Sequence, residues 1–221
     1  MLESELVKSL QCFNRKERYW LIRTALGDQN LSRKFREDLT EAFRLQNQEV
    51  VIPQYAWWAV DFHVDWLFGA LSKLNSADSA GTVFPNNDFQ IKGTQEDFDM
   101  VIAFDQTLIV LEAKAGEAWN KGQMDKKMKR LELLAAFNDK LAQPLKLYFA
   151  ITSPNETQEL TNSGSLPLSA SGSKLPWTKL EFGLSNVDLL AVERCDKRGK
   201  PDAKGGHWKV RPYRKAPTQM E

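Results

Sequence analysis

Apolar positions near the start of the chain recur at helical spacing. From Glu3 to Ala25, Leu6, Leu10, Phe13, Tyr19, Trp20 and Ile22 follow it loosely around the charged cluster Asn14-Arg15-Lys16-Glu17-Arg18, which predicts one or two helices. Gly27 to Asn30 predicts a turn. Ser32 then caps a helix over SRKFREDLTEAFRLQ, whose seam is Phe35, Leu39 and Phe43. After Pro53 the aromatic run QYAWWAVDFHVDWLFGALSKL places Ala56, Trp57, Val60, Val64, Leu67, Phe68 and Leu71 at helical period and predicts a third helical segment. Taken as a strand instead, the run would line Asp61, His63 and Asp65 along one side like metal ligands. The helical pattern is longer, and it turns His63 away from the two acids as a core or boundary residue.

The pattern changes period in the middle of the chain. Asn75 to Asn87 is turn-rich with a short strand at Thr82 to Phe84, and Asp88 to Lys92 alternates as a strand. Two strongly apolar runs follow, Phe98 to Phe104 and Leu108 to Ala113, separated by the polar break Asp105-Gln106-Thr107, which predicts a β-hairpin. Leu108, Val110, Glu112 and Lys114 share one face of the second strand, so that face passes from apolar to charged at its exit. Asp99 stands at the edge of the apolar zone on the first strand. An even loop sets Asp99 opposite Glu112 or Lys114 on a common face; an odd loop sets it on the other unless a bulge corrects the slip, and the even loop is expected here. A helix from Gln123 to Lys140, with Met124, Met128, Leu131, Leu134 and Phe137 inward, and a strand over LKLYFAITS complete the order strand, strand, helix, strand. That order predicts an α/β fold, a mixed sheet with helices on its faces.

Beyond it, Asn155 to Lys174 is rich in Ser, Asn and Gly and predicts a long surface loop, either a substrate flap or a plain insertion. Asp188 to Cys195 and His207 to Tyr213 predict a terminal hairpin.

Composition narrows the class. With 221 residues and ordinary apolar content, one domain over 1–221 is expected: an N-terminal helical region over 1–75, a core over 88–152, a loop-rich insertion over 153–187 and a basic hairpin over 188–215. A net charge of +1 argues neither for nor against nucleic acid, so the distribution of charge matters more. Cys12 and Cys195 form neither a zinc pattern nor a disulfide framework. The first residues are not a signal peptide and no stretch reaches transmembrane length, so a soluble cytoplasmic protein without a membrane partner is expected.

An Asp, then Glu-x-Lys on the adjacent strand, resembles the PD-(D/E)XK nuclease superfamily, the restriction-endonuclease-like fold, through Asp99, Glu112 and Lys114. The resemblance is carried by Gln95 to Lys114 and is topological elsewhere; Phe98 stands where the family name has proline. It implies a restriction-endonuclease-like mixed sheet flanked by helices and a metal-dependent nuclease acting on DNA in restriction, repair or phage defence. Phosphodiester hydrolysis calls for a hard cation, Mg²⁺ or Mn²⁺, and Asp99 and Glu112 are the carboxylates that would hold it. The family pattern adds the backbone carbonyl of Ala113 as a ligand and Lys114 as the residue that orients or activates water and offsets developing negative charge. It further implies a metal-side glutamate from an early helix, Glu37 or Glu41, which are otherwise surface partners of Arg33, Lys34 or Arg44. Gln123 and Lys127 are implied as site-lining residues. With Lys127 where certain exonucleases carry a tyrosine, that exonuclease motif is incomplete. The plain alternative for the three core residues is a cross-strand salt pair at the end of a sheet.

Basic charge collects in the tail. Arg194, Lys197, Arg198, Lys209, Arg211 and Arg214, interleaved with Trp208 and Tyr213, are the expected nucleic-acid contacts, set against a role as solubilising loop charge. The alternative function is a catalytically silent nucleic-acid-binding or interaction module on the same fold. A Ser or Cys hydrolase fits poorly, since His63 and His207 are the only histidines and neither lies in a nucleophile motif. A homodimer is left open.

Overall fold

Ser4 and Ser32 each start a helix by accepting a backbone N–H into the side-chain oxygen, from Val7 at 3.3 Å and Phe35 at 3.2 Å, satisfying donors that no helical carbonyl reaches. The structure, a computed structural model, describes residues 3–27, 29–75, 81, 83, 85–86, 97–114, 121–156, 174–181 and 190–212. Its first elements are α1 (Glu5–Phe13), α2 (Glu17–Leu26) and α3 (Arg33–Arg44). The charged cluster at Asn14 to Lys16 separates α1 from α2, and Gly27 ends α2 at a φ of 76°, which glycine adopts without a Cβ clash.

The aromatic run after Pro53 is not one helix. It forms β1 (Trp57–His63) and then α4 (Val64–Asn75), which corrects the helical reading of that segment. Tryptophan, valine and phenylalanine are strong strand formers, and seven residues are too few for helical and strand spacing to be told apart. Pairing decides the matter: β1 runs antiparallel to β2 (Asp97–Phe104), from Trp57 opposite Ala103 to His63 opposite Asp97. Helical order resumes at Val64, where Trp66 N donates to Asp65 Oδ1 at 3.0 Å.

β3 (Thr107–Ala113) returns antiparallel to β2, α5 (Lys121–Asn138) crosses over, and β4 (Lys146–Ser153) lies parallel to β3. β5 (Trp177–Lys179), a parallel edge strand within what the sequence reads as a loop-rich insertion, completes a five-stranded mixed sheet in the order β1-β2-β3-β4-β5. The strands expected at Thr82 to Phe84 and Asp88 to Lys92, and most of the long loop after Asn155, lie outside the described residues.

Helices cover both faces, so the central strands are apolar on both sides. On one face Val101, Ala103, Leu108 and Val110 pack with Leu6 and Leu10 of α1, Leu67 and Leu71 of α4, and Leu131 and Leu134 of α5. On the other, Ile102, Ile109 and Leu111 meet Leu39 and Phe43 of α3. α1 crosses close to α4 at Gly69, where an added Cβ would lie 2.5 Å from the Phe13 ring, and Ser9 Oγ donates to Ala70 O at 2.7 Å beside it.

The alternation of β1 breaks at Asp61. Pairing continues on either side, Val60 with Met100 and Phe62 with Phe98, yet Asp61 has a φ of 50°. Phe62 meets Trp57 edge-on at 6.2 Å, although strict alternation over five residues would put the two on opposite faces. Phe62 and Phe98 both join the core under α1, α4 and α5, and the opposed Asp61 and Asp99 mark the end of regular pleating.

β6 (Leu190–Cys195) and β7 (His207–Pro212) form the separate hairpin expected from the sequence. Leu190, Val192, Trp208 and Val210 are exposed on it, and Glu193 holds Lys209 and Arg211 at 3.2 and 3.4 Å on the opposite face. No helix of the described residues is long and apolar enough to cross a membrane.

Candidate active site at the end of the central sheet

Phe104 pairs directly with Thr107, so the β2–β3 loop is the two residues Asp105 and Gln106, with Asp105 at a φ of 47°. The even loop carries the register out to Met100 opposite Leu111; there regular pleating ends, and Asp99 lines the α3 side with Met100, Leu111 and Ala113 while Glu112 faces α5, so the two acids adjoin without sharing the face that the even loop predicts. Continuing the other register sets Asp99 beside Asp61. The ends of β1 and β3 and the start of β2 thus bring Asp61, Asp97, Asp99 and Glu112 to one end of the sheet.

Two of these acids carry a cation, one from the α1–α2 junction and one from the first turn of α2. Arg18 holds Asp61 at 2.9 Å, and Lys16 holds Asp97 at 2.7 Å. His63 Nδ1 lies 2.5 Å from the second Asp97 oxygen without hydrogen-bond alignment, its ring set edge-on to Trp66 at 4.2 Å. Arg15 places its guanidinium 5.2 Å over the same indole. The charged cluster between α1 and α2 is therefore turned toward the strand ends. Asp61, His63 and Asp65 do not gather as metal ligands: Asp61 pairs with Arg18, His63 faces Asp97, and Asp65 lies in the first turn of α4.

The inner pair is different. Glu112 is 2% exposed on the α5-facing side of β3; Lys127 from α5 reaches its Oε2, while its Oε1 is buried without a hydrogen-bond partner. Asp99 Oδ2 accepts the Ala113 amide at 2.6 Å. Burial pushes the Glu112 carboxyl up from 4.5 to about 8; the negative charge of Asp99 adds to the rise and Lys127 opposes it. Lys127 also lies 3.5 Å from the Asp97 carbonyl, linking the inner and outer acids.

Other expected site residues fall as follows. Lys114 is half-buried one position beyond β3, and its amide donates to Thr152 O at 2.9 Å, prolonging the parallel pairing with β4. Glu37 and Glu41 are exposed on α3 in ion pairs with Arg33 at 2.7 Å and Arg44 at 2.6 Å, so neither is brought to the acids at the sheet end. The α3 acid that shares a pocket with Asp99 is Asp38. Gln123 lies in the first turn of α5, its side chain outside the described ones. On the hairpin, Arg194 donates to Gly205 O at 3.1 Å, Lys197 and Arg198 are at the turn, and Lys209 and Arg211 pair with Glu193; Arg214 lies outside the described residues.

Sequence reasoning missed Lys16, Asp97 and Asp38. Asp97 had a visible signal, its two-residue spacing from Asp99 at the mouth of a strand. Lys16 had none, because its partner lies 81 residues away.

Carboxylate oxygens are the donors that a hard divalent cation takes. Two adjacent carboxylates, one with an orphaned buried oxygen, form a locus that positive charge would stabilise, and Mg²⁺ takes few protein oxygens and completes its shell with water and substrate. Among the described residues no group of three or more His, Cys, Asp or Glu side chains could hold a metal; Asp99, Glu112 and the Ala113 carbonyl are the oxygens here that could take a cation. Comparison with family models, with curated proteins and with solved structures finds no match for this chain.

Proposed function

We propose that the protein is a Mg²⁺- or Mn²⁺-dependent nuclease of PD-(D/E)XK type, with a restriction-endonuclease-like fold, hydrolysing phosphodiester bonds in DNA. The observation that carries the reading is the buried Glu112 carboxyl, one oxygen without a partner, set beside Asp99 where two central strands leave the core. A structural salt pair leaves no reason for a second acid to crowd a buried one.

Bound Mg²⁺ or Mn²⁺ supplies positive charge beside the phosphate and makes water more acidic. Asp99 and Glu112 would hold it, with Asp99 oriented by the Ala113 amide at 2.6 Å. Lys127 favours the ionised form of Glu112 that a cation needs. Lys114 orients the attacking water and offsets charge that grows in the transition state. The cations Lys197 and Arg198 on the terminal hairpin hold the DNA backbone.

Incubating the protein with plasmid, linear duplex and single-stranded DNA, in Mg²⁺ or Mn²⁺ and in EDTA, tests the reading. Metal-dependent cleavage supports it; inactivity on every substrate together with no metal binding by calorimetry overturns it. A catalytically silent DNA-binding module is favoured by one observation, that Lys127 already meets one Glu112 oxygen. DNA binding unchanged by Glu112→Ala, in a protein that cuts nothing, would establish that reading instead.

A further inference from the structure

Asp99 opens in the direction away from α5, into a pocket of about 380 Å³ between α3 and the end of β5. Its floor is the paired residues Met100 and Leu111, its wall is Phe35 of α3, and Leu180 just past β5 closes the far side. Phe35, Met100 and Leu180 are only half-buried, so their apolar surface faces the space. Asp99 and Ala113, both candidates for holding the cation, line one end.

Charge divides the pocket. Lys34 lies 2.6 Å from Asp38 and 3.7 Å from Glu181, so the acids on the outer rim already have their cation and do not call for a positively charged ligand. Lys179 lines the rim, exposed and without an ion pair among the described residues. The space is therefore apolar and near neutral over its floor, with a carboxylate at one end and an exposed cation on the rim. A flat neutral ring joined to an anion matches that division, and the volume falls in the range of small-molecule sites.

We propose that this pocket receives the base of one unpaired nucleotide, held against Phe35 and the Met100–Leu111 floor, while the neighbouring phosphate lies toward Lys179 and, through a bound cation when one is present, toward Asp99. The inference rests on the nuclease reading only for placing the scissile phosphate near Asp99. A base within a duplex is stacked and paired and cannot enter, so the preferred substrate is a single strand, or a site where a base leaves the stack.

Fluorescence anisotropy in EDTA, where the proposed cleavage cannot proceed, tests it with a labelled single strand and a blunt duplex of the same length and sequence. The parent is expected to bind the single strand at least about tenfold more tightly, the order of one stacked base. Leu180→Trp, which fills the pocket from its rim, is expected to abolish that preference, leaving duplex binding and melting temperature near parental. Phe35→Ala provides a second variant, removing the stacking ring without adding bulk, and is expected to reduce the preference severalfold. A parent that binds both forms equally, or a folded Leu180→Trp and Phe35→Ala pair that both keep the full preference, overturns the proposal. The two readings fail separately: strand preference that depends on the pocket, in a protein that cuts no DNA with Mg²⁺ or Mn²⁺, keeps the pocket and removes the nuclease.

Discussion

Lys127 on α5 reaches Glu112 on β3 across one face of the sheet, giving the buried carboxyl its cationic neighbour among the described residues. The same ammonium stands 3.5 Å from the Asp97 carbonyl, so a helix-borne charge spans the exits of two strands. Without it, burial and the neighbouring Asp99 would both hold Glu112 protonated with no cation to oppose them among the causes of its shift.

The pH dependence of stability follows from this. Glu112 rises from 4.5 to about 8 in the fold, so between those values the folded state keeps a proton that the unfolded state releases. Metal-free protein is expected to lose stability as pH rises through this window, at on the order of 1 kcal/mol per unit, and to level off above it. Urea denaturation in EDTA across that range checks the slope, which Glu112→Gln should remove.

Metal affinity should run the other way. A cation binds the ionised carboxylate, so apparent Mn²⁺ affinity is expected to increase by roughly tenfold per pH unit up to about pH 8. Lys127→Met removes the charge that lowers the Glu112 pKa, and its half-maximal binding should move to higher pH; Lys127→Arg should restore some of the shift. Calorimetric titrations at stepped pH read both, and parental pH dependence in Lys127→Met would refute the coupling.

Lys114 separates catalysis from a salt pair at the sheet end. In the nuclease reading its charge acts at the transition state, so Lys114→Ala should cut single-turnover cleavage by about a hundredfold or more with metal and DNA affinity largely kept. A salt pair predicts at most about 1 kcal/mol of lost stability and little change in rate. Cleavage at the parental rate would rule out the assigned role.

Cations on the terminal hairpin should divide by partner. Lys197 and Arg198 are at its turn, whereas Lys209 and Arg211 pair with Glu193 at 3.2 and 3.4 Å. Replacing Lys197 and Arg198 with Ala should weaken DNA binding for all sequences and lower the salt slope by about 2. Ala at Lys209 and Arg211 should affect the slope less and loosen the hairpin more. Equal slopes for the two double variants would refute the division.

Much of the scaffold was legible because it is locally encoded. Ser32 with Phe35, Leu39 and Phe43 specifies a capped helix, and two apolar runs around the break Asp105-Gln106-Thr107 specify a hairpin, since side-chain spacing and turn chemistry act over a few residues. The even loop set the β2–β3 register as far as Met100 opposite Leu111, but the break in pleating beside Asp61 turned Asp99 toward the α3 side, off the face that Glu112 presents to α5. The terminal hairpin was equally plain from its two runs and the Gly-rich turn between them.

Tertiary contact decided the remainder. Trp57 to His63 carries a pattern that a helix and a strand can both use, and only pairing with β2 selected the strand. β5 has three residues, too few for any periodic signal, and is held by its neighbour β4. Glu37, Asp38 and Glu41 are all acids on α3, but the packing of α3 beside β5 brings Asp38 to the pocket and leaves the two glutamates in exposed ion pairs. Lys16 meets Asp97, and Lys127 meets Glu112, across 81 and 15 residues. Local propensity orders the backbone of each segment, whereas a charge finds its partner only after packing has removed both from water and brought distant segments within a few ångströms.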